Sequence, residues 1–298
     1  MNPEDVIIIG SGPAGIATAI QLRRSGIPFL LLEKLRVGGL LLNANLVENY
    51  PGFPAGITGP KLVGLFEAQM RRLGVEATFD EVLNLDIVSD RLVVNTSRCV
   101  YCPSYLVVAT GTKPLPADVP LKVPPRAHAR IHRDVYSLKD VCDSQVAIVG
   151  AGDAAFDYAL NMAKKNTVML LMRGGETRCL PLLLERAAAC DRIVIQHATT
   201  VDRIEAVDSG NRLQLVCTHR GENRIISCDH LVYATGREAQ LDFLPVGKNA
   251  EIEAFVKSGR IFFVGDVTNG LYRQTGIAVG DGLRAAMQIY TEITRAEV

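Results

Sequence analysis

Short apolar runs alternate with stretches of helical apolar spacing along much of the chain. Val6–Ile9 leads into a glycine-rich turn and then into Ile16–Leu22, which has the spacing of a helix packed on one face. This order of strand, turn and helix predicts the opening of a parallel βαβ unit. The further strand-like runs are Phe29–Leu32, Thr167–Leu171, Ile193–Gln196 and Leu213–Cys217, and the helix-like ones are Lys61–Leu73, Pro181–Ala189 and Gly282–Ile293. Such alternation is typical of doubly wound parallel sheets.

An internal repeat indicates how these units are organised. The segment that begins at Val6 recurs from Val146, and an Ala-Thr-Gly turn at 109–111 recurs at 234–236. The last apolar helix fits best as the end of the first unit, so the two units nest. We therefore predict an α/β protein with two nested Rossmann-like dinucleotide-binding domains that contain parallel sheets. Residues 1–112 and 243–298 would form the first domain, and residues 113–242 the second.

The first glycine turn has the spacing of a dinucleotide-binding turn. Gly10 permits a tight turn, Gly12 lets the backbone approach a pyrophosphate, and Gly15 permits close packing of helix on strand. The exposed N–H groups of the helix N-terminus would face that anion. Glu33 ends the next strand, where its carboxylate can accept hydrogen bonds from an adenosine ribose. The alternative is a purely structural turn beside a surface glutamate.

The second glycine turn repeats this pattern with changes. Gly150, Gly152 and Ala155 occupy the three positions. Arg173 and Arg178 stand where an acidic residue would follow the next strand, which favours a ribose 2′-phosphate and hence NADP over NAD. The alternative for these two arginines is a solvated loop.

Composition narrows the classes of partner. The charges of the 32 basic and 32 acidic side chains cancel. A net charge of zero argues against binding of nucleic acid or an anionic membrane through the overall charge of the protein. Trp is absent and aromatic residues make up 6% of the chain, which argues against an extended surface for stacking nucleic-acid bases. No apolar run reaches the roughly 18 residues of a membrane span. Seven cysteines and an N-terminus without a basic signal-peptide region favour a reducing compartment. We therefore expect a cytoplasmic protein that binds neither nucleic acid nor membrane.

Further motifs stand in order along nearly the whole chain. They are Gly38-Gly39, Val47–Pro54, the two Ala-Thr-Gly turns, Gly150–Ala155, Gly265-Asp266-Val267 and Tyr272-Arg273-Gln274. Together they resemble the low-molecular-weight thioredoxin reductases and the ferredoxin/flavodoxin–NADP reductases of the same fold. The resemblance implies FAD in the outer domain, NADPH or NADH in the inserted domain, and a homodimer.

The resemblance and the glycine turns together define the candidate site residues. Asn49 would lie along the flavin, Asp266 near the ribityl or phosphate oxygens, and Thr275 at a helix N-terminus that stabilises the reduced flavin's charge. The predicted FAD contacts are Gly10, Ser11, Gly12, Pro13, Ala14, Gly15, Glu33, Lys34, Gly39, Asn49, Thr110, Gly111, Gly265, Asp266, Arg273, Gln274 and Thr275. The predicted NADP contacts are Gly150, Gly152, Asp153, Ala154, Ala155, Arg173, Arg178 and Gly236. No metal site is predicted, and no side chain is assigned as acid, base or nucleophile.

The chain departs from the family at the redox-active dithiol. The family carries a Cys-x-x-Cys shortly before the second glycine turn, and Arg133-Asp134-Val135-Tyr136 stands there instead. A Cys-x-x-Cys does occur at Cys99–Cys102, but on an extended strand these residues would point to opposite faces. We interpret them as structural thiols, and Cys142 has no partner nearby in sequence.

Other departures concern cofactor contacts and the acceptor. Leu40–Leu42 replaces polar residues that contact the flavin in the family, and Met172 and Gly174 replace a histidine and an arginine of the NADPH loop. A basic segment, with Lys122, Arg126, His128, Arg130, His132 and Arg133, precedes Asp134. It could dock an acidic electron carrier or be a solvated linker. His197, His219 and His230 are expected at the surface.

Three functions therefore remain open. The first is a flavin enzyme that passes electrons from NADPH or NADH to an acceptor other than its own Cys-x-x-Cys, such as a ferredoxin/flavodoxin-type carrier. The second is a thiol–disulfide reductase that uses Cys99 and Cys102, or Cys142. The third is a non-catalytic flavin-binding sensor. The altered Leu40–Leu42 and Met172–Gly174 segments are the observation that supports it.

Overall fold

A computed structural model describes residues 1–115, 123 and 125–296. The chain forms two compact units. The first unit contains Met1–Leu42, Val47–Lys113 and Glu238–Val298, and the second contains Asn43–Leu46 and Pro114–Arg237. The chain thus enters the second unit briefly at Asn43–Leu46, a segment that the sequence assigns to the first domain, and returns to it after residue 113.

The helices and strands follow one another in an order that switches repeatedly between the two types. Up to residue 115 they are β1 (Val6–Ile9), α1 (Pro13–Arg24), β2 (Leu30–Glu33), α2 (Gly59–Arg72), β3 (Ala77–Phe79), β4 (Val82–Val88), β5 (Arg91–Thr96), β6 (Val100–Tyr101), β7 (Tyr105–Val108) and β8 (Thr112–Pro114). After it come β9 (Ile131–His132), β10 (Gln145–Val149), α3 (Asp153–Met162), β11 (Thr167–Leu171), α4 (Pro181–Ala188), β12 (Ile193–Gln196), β13 (Thr199–Val207), β14 (Arg212–His219), β15 (Glu222–Cys228), β16 (His230–Tyr233), β17 (Arg237–Ala239), α5 (Asn249–Lys257), β18 (Ile261–Phe263) and α6 (Thr275–Ala296).

The first unit is built on a parallel sheet with the strand order β18-β7-β1-β2-β3. Its strands are apolar on both faces, because both faces are covered. One face packs against α1 and α6 through residues such as Ile16 and Ile289, and the other against the antiparallel strands β4–β6 and α5, with Leu85 and Phe255 buried. The carboxyl ends of the central strands are thereby held in a fixed position.

Helices α1 and α6 cross at very short range. The Thr18 hydroxyl donates to the carbonyls of Ala14 (2.9 Å) and Gly282 (3.2 Å). A Cβ at Gly282 would lie 2.2 Å from the Ala14 oxygen. Only glycine therefore fits at this crossing, which fixes α6 against the start of α1.

The second unit repeats this plan with the strand order β12-β11-β10-β16-β9, all parallel. One face packs against α3 and α4 around Phe156, and the other against the antiparallel sheet β13–β15 around Leu215. The two parallel sheets confirm the predicted fold class. Among the described residues, no helix is long and apolar enough to cross a membrane.

The expectation that His230 is a surface residue is wrong. His230 is 9% exposed at the start of β16, and its Nδ1 lies 3.1 Å from Nε2 of His132. The two histidines are 98 residues apart in sequence and meet because β9 pairs with β16. Burial, together with the smaller effect of the neighbouring His230, lowers the pKa of His132 to about 4.

Candidate functional site

The first glycine turn joins β1 to α1. Gly10 has φ +100°, and a Cβ there would lie 2.5 Å from the Ala109 oxygen. A Cβ at Gly15 would lie 1.9 Å from the Gly10 oxygen. These two glycines are needed by the fold itself, because backbone occupies the space of their side chains.

Gly12 differs from both neighbours. It is the N-cap of α1, its φ is −73°, and nothing lies within 4 Å of a Cβ built on it. Pro13 follows at the first helical position, where its missing N–H is not needed. The space next to Gly12 is therefore open to a ligand. The N-terminus of α1, with the partial positive charge of its helix dipole, faces this space.

Glu33 is tied to this turn. One carboxylate oxygen accepts hydrogen bonds from the Ser11 N–H (2.9 Å) and hydroxyl (2.8 Å), and the other accepts from the Leu35 N–H (2.9 Å). The sequence predicts that Glu33 accepts from a ribose. In the structure its first role is to fix the glycine turn, while the half-buried side chain still lines the adjoining cavity.

A cavity of about 450 Å³ opens beside the ends of β1 and β2. Its lining combines apolar side chains with four acidic residues, Glu33, Asp80, Glu81 and Asp242. The lining residues are Ile9, Gly10, Leu32, Glu33, Lys34, Asp80, Glu81, Val82, Leu83, Thr110, Gln240, Asp242 and Phe243. This size and mixture fit a nucleoside, which needs apolar walls for the base and acceptors for the ribose hydroxyls.

The Ala-Thr-Gly turn closes one side of that cavity. The Thr110 hydroxyl donates to the Gln240 carbonyl (2.7 Å), and the Gln240 N–H donates to the Gly111 carbonyl (3.0 Å). Gly111 has φ +66°. Predicted residues Lys34, Thr110 and Gly111 therefore lie together at this end of the sheet.

Gly39, Gly265 and Asp266 form another group of predicted FAD residues, which lies near the start of α1. A Cβ at Gly39 would lie 3.3 Å from the Gly12 Cα, and one at Gly265 would lie 2.9 Å from the Ala14 Cβ. Asp266 is half-buried in the single helical turn Gly265–Val267. Thus Gly39 and Gly265 both border the turn that begins α1.

Asn49 and Gln274 form a second group in this unit. The Asn49 amide donates to the Gln274 side-chain oxygen at 2.7 Å. Arg273 and Gln274 immediately precede Thr275, where α6 begins as predicted. The structure therefore joins the segment that resembles the family's flavin-contacting loop to the start of α6.

Sequence reasoning missed Asp281 in α6. Its Oδ2 accepts hydrogen bonds from the Gly265 N–H (3.2 Å) and from the Asn269 amide (2.6 Å). The available signal was a carboxylate between Gly280 and Gly282 in a helix that is otherwise apolar on its buried face.

The second glycine turn, between β10 and α3, has a similar geometry. A Cβ at Gly150 would lie 2.5 Å from the Ala234 oxygen. The corresponding distance from a Cβ at Gly10 to the Ala109 oxygen is also 2.5 Å. Gly152 is the N-cap of α3, with nothing within 4 Å of its Cβ position. Ala155 is buried, and Ala154 is exposed in the first turn of the helix.

The two arginines lie near this turn. The Arg178 N–H donates to the Ala151 carbonyl (2.8 Å), and the Asp153 carboxylate accepts from the Leu180 N–H (2.8 Å). These bonds hold the arginine loop beside the turn. Arg173 and Arg178 are both exposed, and Arg173 follows β11 by two residues. Gly236 has φ +119°, and its carbonyl accepts from the Leu115 N–H (3.1 Å).

The segment Arg133–Tyr136, where the family resemblance predicts a dithiol, makes contacts within the second unit. The Asn43 side-chain oxygen accepts from the N–H groups of Val135 (3.0 Å) and Tyr136 (2.9 Å). The Arg133 guanidinium lies over the Tyr233 ring, 4.9 Å from its centroid. This segment therefore binds Asn43 and packs on β16.

The cysteines of the second unit show no Cys-x-x-Cys spacing. They are Cys142, Cys179, Cys190, Cys217 and Cys228. Burial raises the pKa of Cys217 to about 11 and that of Cys228 to about 12, so both are protonated at neutral pH. Protonated thiols are poor nucleophiles.

Cys99 and Cys102 lie in the first unit on either side of β6. Both are exposed and neither forms a disulfide. Three residues of extended chain span about 10 Å, whereas a disulfide needs Cα atoms closer than about 7 Å. This pair cannot form a disulfide without a rearrangement of β6.

The basic segment is only partly at the surface. Arg126 and His128 are exposed, whereas His132 and Arg133 are half-buried; Lys122 lies outside the described residues. Among residues 1–115, 123 and 125–296, no group of three His, Cys, Asp or Glu side chains could hold a metal ion.

Two parallel sheets, each with a glycine turn at the N-terminus of a helix, define a class of protein that binds dinucleotides. The family model "Pyridine nucleotide-disulphide oxidoreductase" matches residues 4–282. The chain belongs to this family, and it is a flavin-dependent oxidoreductase of the thioredoxin reductase-like kind.

Individual relatives agree with this assignment. The chain is 30% identical over 301 residues to a thioredoxin reductase of Streptomyces clavuligerus, covering 95% of this chain and 92% of that one. A crystal structure of Lactococcus lactis thioredoxin reductase, 25% identical, matches 98% of this chain and 99% of its own with a TM-score of 0.84. A bacillithiol disulfide reductase of Bacillus cereus shares the fold at 22% identity and a TM-score of 0.75, over 98% of this chain and 100% of its own.

Proposed function

We propose that this protein takes electrons from NADPH through FAD to an acceptor other than a Cys-x-x-Cys of its own. One observation carries the proposal: the second unit has a complete glycine turn but no two cysteines at Cys-x-x-Cys spacing. Arg133–Tyr136, where the family has its dithiol, is hydrogen-bonded to Asn43 instead.

FAD fits the first unit. The open N-cap at Gly12 would take the pyrophosphate, and the 450 Å³ cavity beside Glu33 and Lys34 would take the adenosine. Gly39 and Gly265 lie near the start of α1, and with Asp266 they would contact the ribityl chain. FAD would supply the redox chemistry, while the chain binds and orients it.

NADPH fits the second unit. Gly152 would take the pyrophosphate, while Arg173 and Arg178 would neutralise the 2′-phosphate. The remaining predicted contacts, Asp153, Ala154, Ala155 and Gly236, border the same turn or the neighbouring strand end. A ratio of kcat/KM for NADPH over NADH that exceeds tenfold, and falls when both arginines are changed to Ala, supports this specificity. A preference for NADH contradicts it.

Two glycine variants test the cofactor sites without unfolding the protein. A methyl group at Gly12 or Gly152 meets nothing in the protein, so the fold should tolerate it. It would occupy the path of the pyrophosphate. We expect Gly12→Ala to raise the Kd for FAD at least about 100-fold, or about 2.7 kcal/mol, with little change in apoprotein Tm. Gly152→Ala should do the same for NADPH and leave FAD bound.

Gly64→Ala is the matched control, because Gly64 lies in α2 with an equally empty Cβ position. Wild-type FAD affinity in Gly12→Ala would contradict the assignment of the turn. So would flavin that remains oxidised after anaerobic mixing with both NADPH and NADH.

The relatives favour a second candidate function, because several are named thioredoxin reductases. In this chain a disulfide reductase would have to use Cys99 and Cys102, or Cys142, all of which are exposed. Thiol titration before and after reduction with NADPH separates the two functions. A gain of two thiols that is lost in Cys99→Ser/Cys102→Ser establishes the disulfide reductase, and no gain supports an external acceptor.

An acidic electron carrier is one acceptor of suitable chemistry, since Arg126 and His128 are exposed in the basic segment. Reduction of ferredoxin that slows steeply with added salt, and slows further in Arg126→Glu, supports this choice. Salt-independent reduction contradicts it.

We also propose a homodimer, to be tested by sedimentation velocity.

A further inference from the structure

The chain between the last strand and the last helix makes two successive tight turns. The first is Gly265–Thr268, closed by a hydrogen bond from the Thr268 N–H to the Gly265 carbonyl (3.1 Å). The second is Asn269–Tyr272, closed by one from the Tyr272 N–H to the Asn269 carbonyl (2.8 Å). Gly265 opens the first with φ +75°. These turns carry Asp266 and lead directly to Arg273, Gln274 and the start of α6.

A single carboxylate oxygen joins both turns. Oδ2 of Asp281 accepts the Gly265 N–H from the first turn (3.2 Å) and the Asn269 amide from the second (2.6 Å). Asp281 lies in the second turn of α6, so the bonds run from the body of the helix back to the chain that leads into it. An ionised carboxylate only accepts hydrogen bonds, and its bonds are stronger than those of a neutral amide.

The bonded turns are packed against the first glycine turn. A Cβ at Gly265 would lie 2.9 Å from the Ala14 Cβ and 3.4 Å from the Ala278 Cβ. Gly265 is buried, and Ala14 belongs to the first turn of α1. A shift of the Gly265 turn would therefore change the spacing between Asp266 and the open N-cap at Gly12.

We propose that Asp281 is a positioning residue for the flavin, acting through Gly265 and Asn269. Its carboxylate fixes the turn that carries Asp266 and the turn before Gln274, whose side chain is bonded to Asn49. Asp281 itself makes no contact with the cofactor in this scheme. The inference rests on the proposed FAD site of the first unit.

The test compares three variants of the purified holoprotein. Asp281→Ala removes both hydrogen bonds, and we expect it to release FAD at least about tenfold faster, with altered band shape in the flavin absorbance spectrum. Asp281→Asn keeps a neutral acceptor and should release FAD at an intermediate rate. Ile289→Ala removes a fully buried side chain eight residues further along the same helix, and it should lower Tm without changing the flavin spectrum.

FAD release followed by flavin fluorescence, together with the spectrum, decides the matter. Release at the wild-type rate in Asp281→Ala overturns the proposal, as does equal acceleration by Ile289→Ala at a matched loss of Tm. If Asp281→Ala does not fold, Asp281→Asn carries the test, with faster release in support and wild-type release against. Wild-type protein without FAD affinity would instead refute the proposed function itself.

Discussion

The carboxyl group of Asp157 gives the stability of the second unit a pH dependence of unusual sign. Asp157 lies on α3, and its Oδ2 accepts a hydrogen bond from the Asn45 N–H at 2.9 Å. Burial raises its pKa from 3.8 to about 6, against a smaller opposing effect of that hydrogen bond. Between pH 4 and 6 the folded protein therefore binds more protons at this site than the unfolded chain. The contribution of Asp157 to the free energy of unfolding therefore falls as the pH rises from 4 to 6.

Asp157→Asn removes the ionisation and keeps an acceptor for the Asn45 N–H. A shift from 3.8 to about 6 corresponds to about 3 kcal/mol, at 1.36 kcal/mol per pKa unit, as an upper bound. We expect the variant and wild type to unfold alike near pH 4. At pH 7.5 the variant should be more stable, by between about 1 and 3 kcal/mol.

Urea unfolding at half-unit steps from pH 4.0 to 7.5 measures this difference. Far-ultraviolet circular dichroism is the suitable probe, because the chain has no tryptophan. Other titrating groups are common to both proteins and cancel in the difference. Parallel pH profiles for variant and wild type would refute the reasoning, as would a variant that is less stable at pH 7.5. Asp140→Asn, an exposed aspartate of the same unit, is the control.

Two further predictions concern stability. Burial and His230 lower the pKa of His132 to about 4, so stability should fall as pH drops from 6.5 to 4, and His132→Asn should flatten this slope in the same urea series. Gly282→Ala places a methyl group 2.2 Å from the Ala14 oxygen and should cost about 1–3 kcal/mol or more, measured by thermal unfolding. Gly276→Ala, in the same helix with an empty Cβ position, should leave Tm unchanged or raise it.

The sequence predicted the parallel units well because their signals are local. The apolar run from Thr167 to Leu171 is β11 residue for residue, and α6 begins at Thr275 as expected. Periodicity and turn chemistry act within about ten residues, so they can be read from a single sequence. Both glycine turns were found for the same reason.

The parts that the sequence did not predict depend on contacts between distant segments. His132 and His230 meet only because the two-residue strand β9 pairs with β16. Asn43–Leu46 joins the second unit through Asn43 and through Asp157, neither of which carries a periodic or motif signal. Asp281 is likewise bonded to residues 12 and 16 positions away. Such side-chain choices are set by tertiary packing, which pattern reasoning does not describe.

The internal repeat has a physical explanation that ties its two motifs together. In each unit the first glycine of the turn lies against the carbonyl of the Ala-Thr-Gly motif, Gly10 against Ala109 and Gly150 against Ala234, each with a Cβ position 2.5 Å from that oxygen. The motifs therefore recur as a pair because each is the packing partner of the other.

The glycines of each turn are required for different reasons, and the third position shows a reason that comes from the fold. Gly15 must be glycine because its Cβ would lie 1.9 Å from the Gly10 oxygen, whereas the second unit accommodates Ala155 at the matching position. The N-cap glycines Gly12 and Gly152 have no such steric reason in either unit. An empty Cβ position alone does not indicate a ligand, because Gly64 within α2 has one too. Gly12 and Gly152 differ from Gly64 in that each is the N-cap of a helix, where the exposed N–H groups favour an anion. The combination of an empty Cβ position and a helix N-terminus, found in both units, therefore supports the proposal that each unit binds a dinucleotide pyrophosphate.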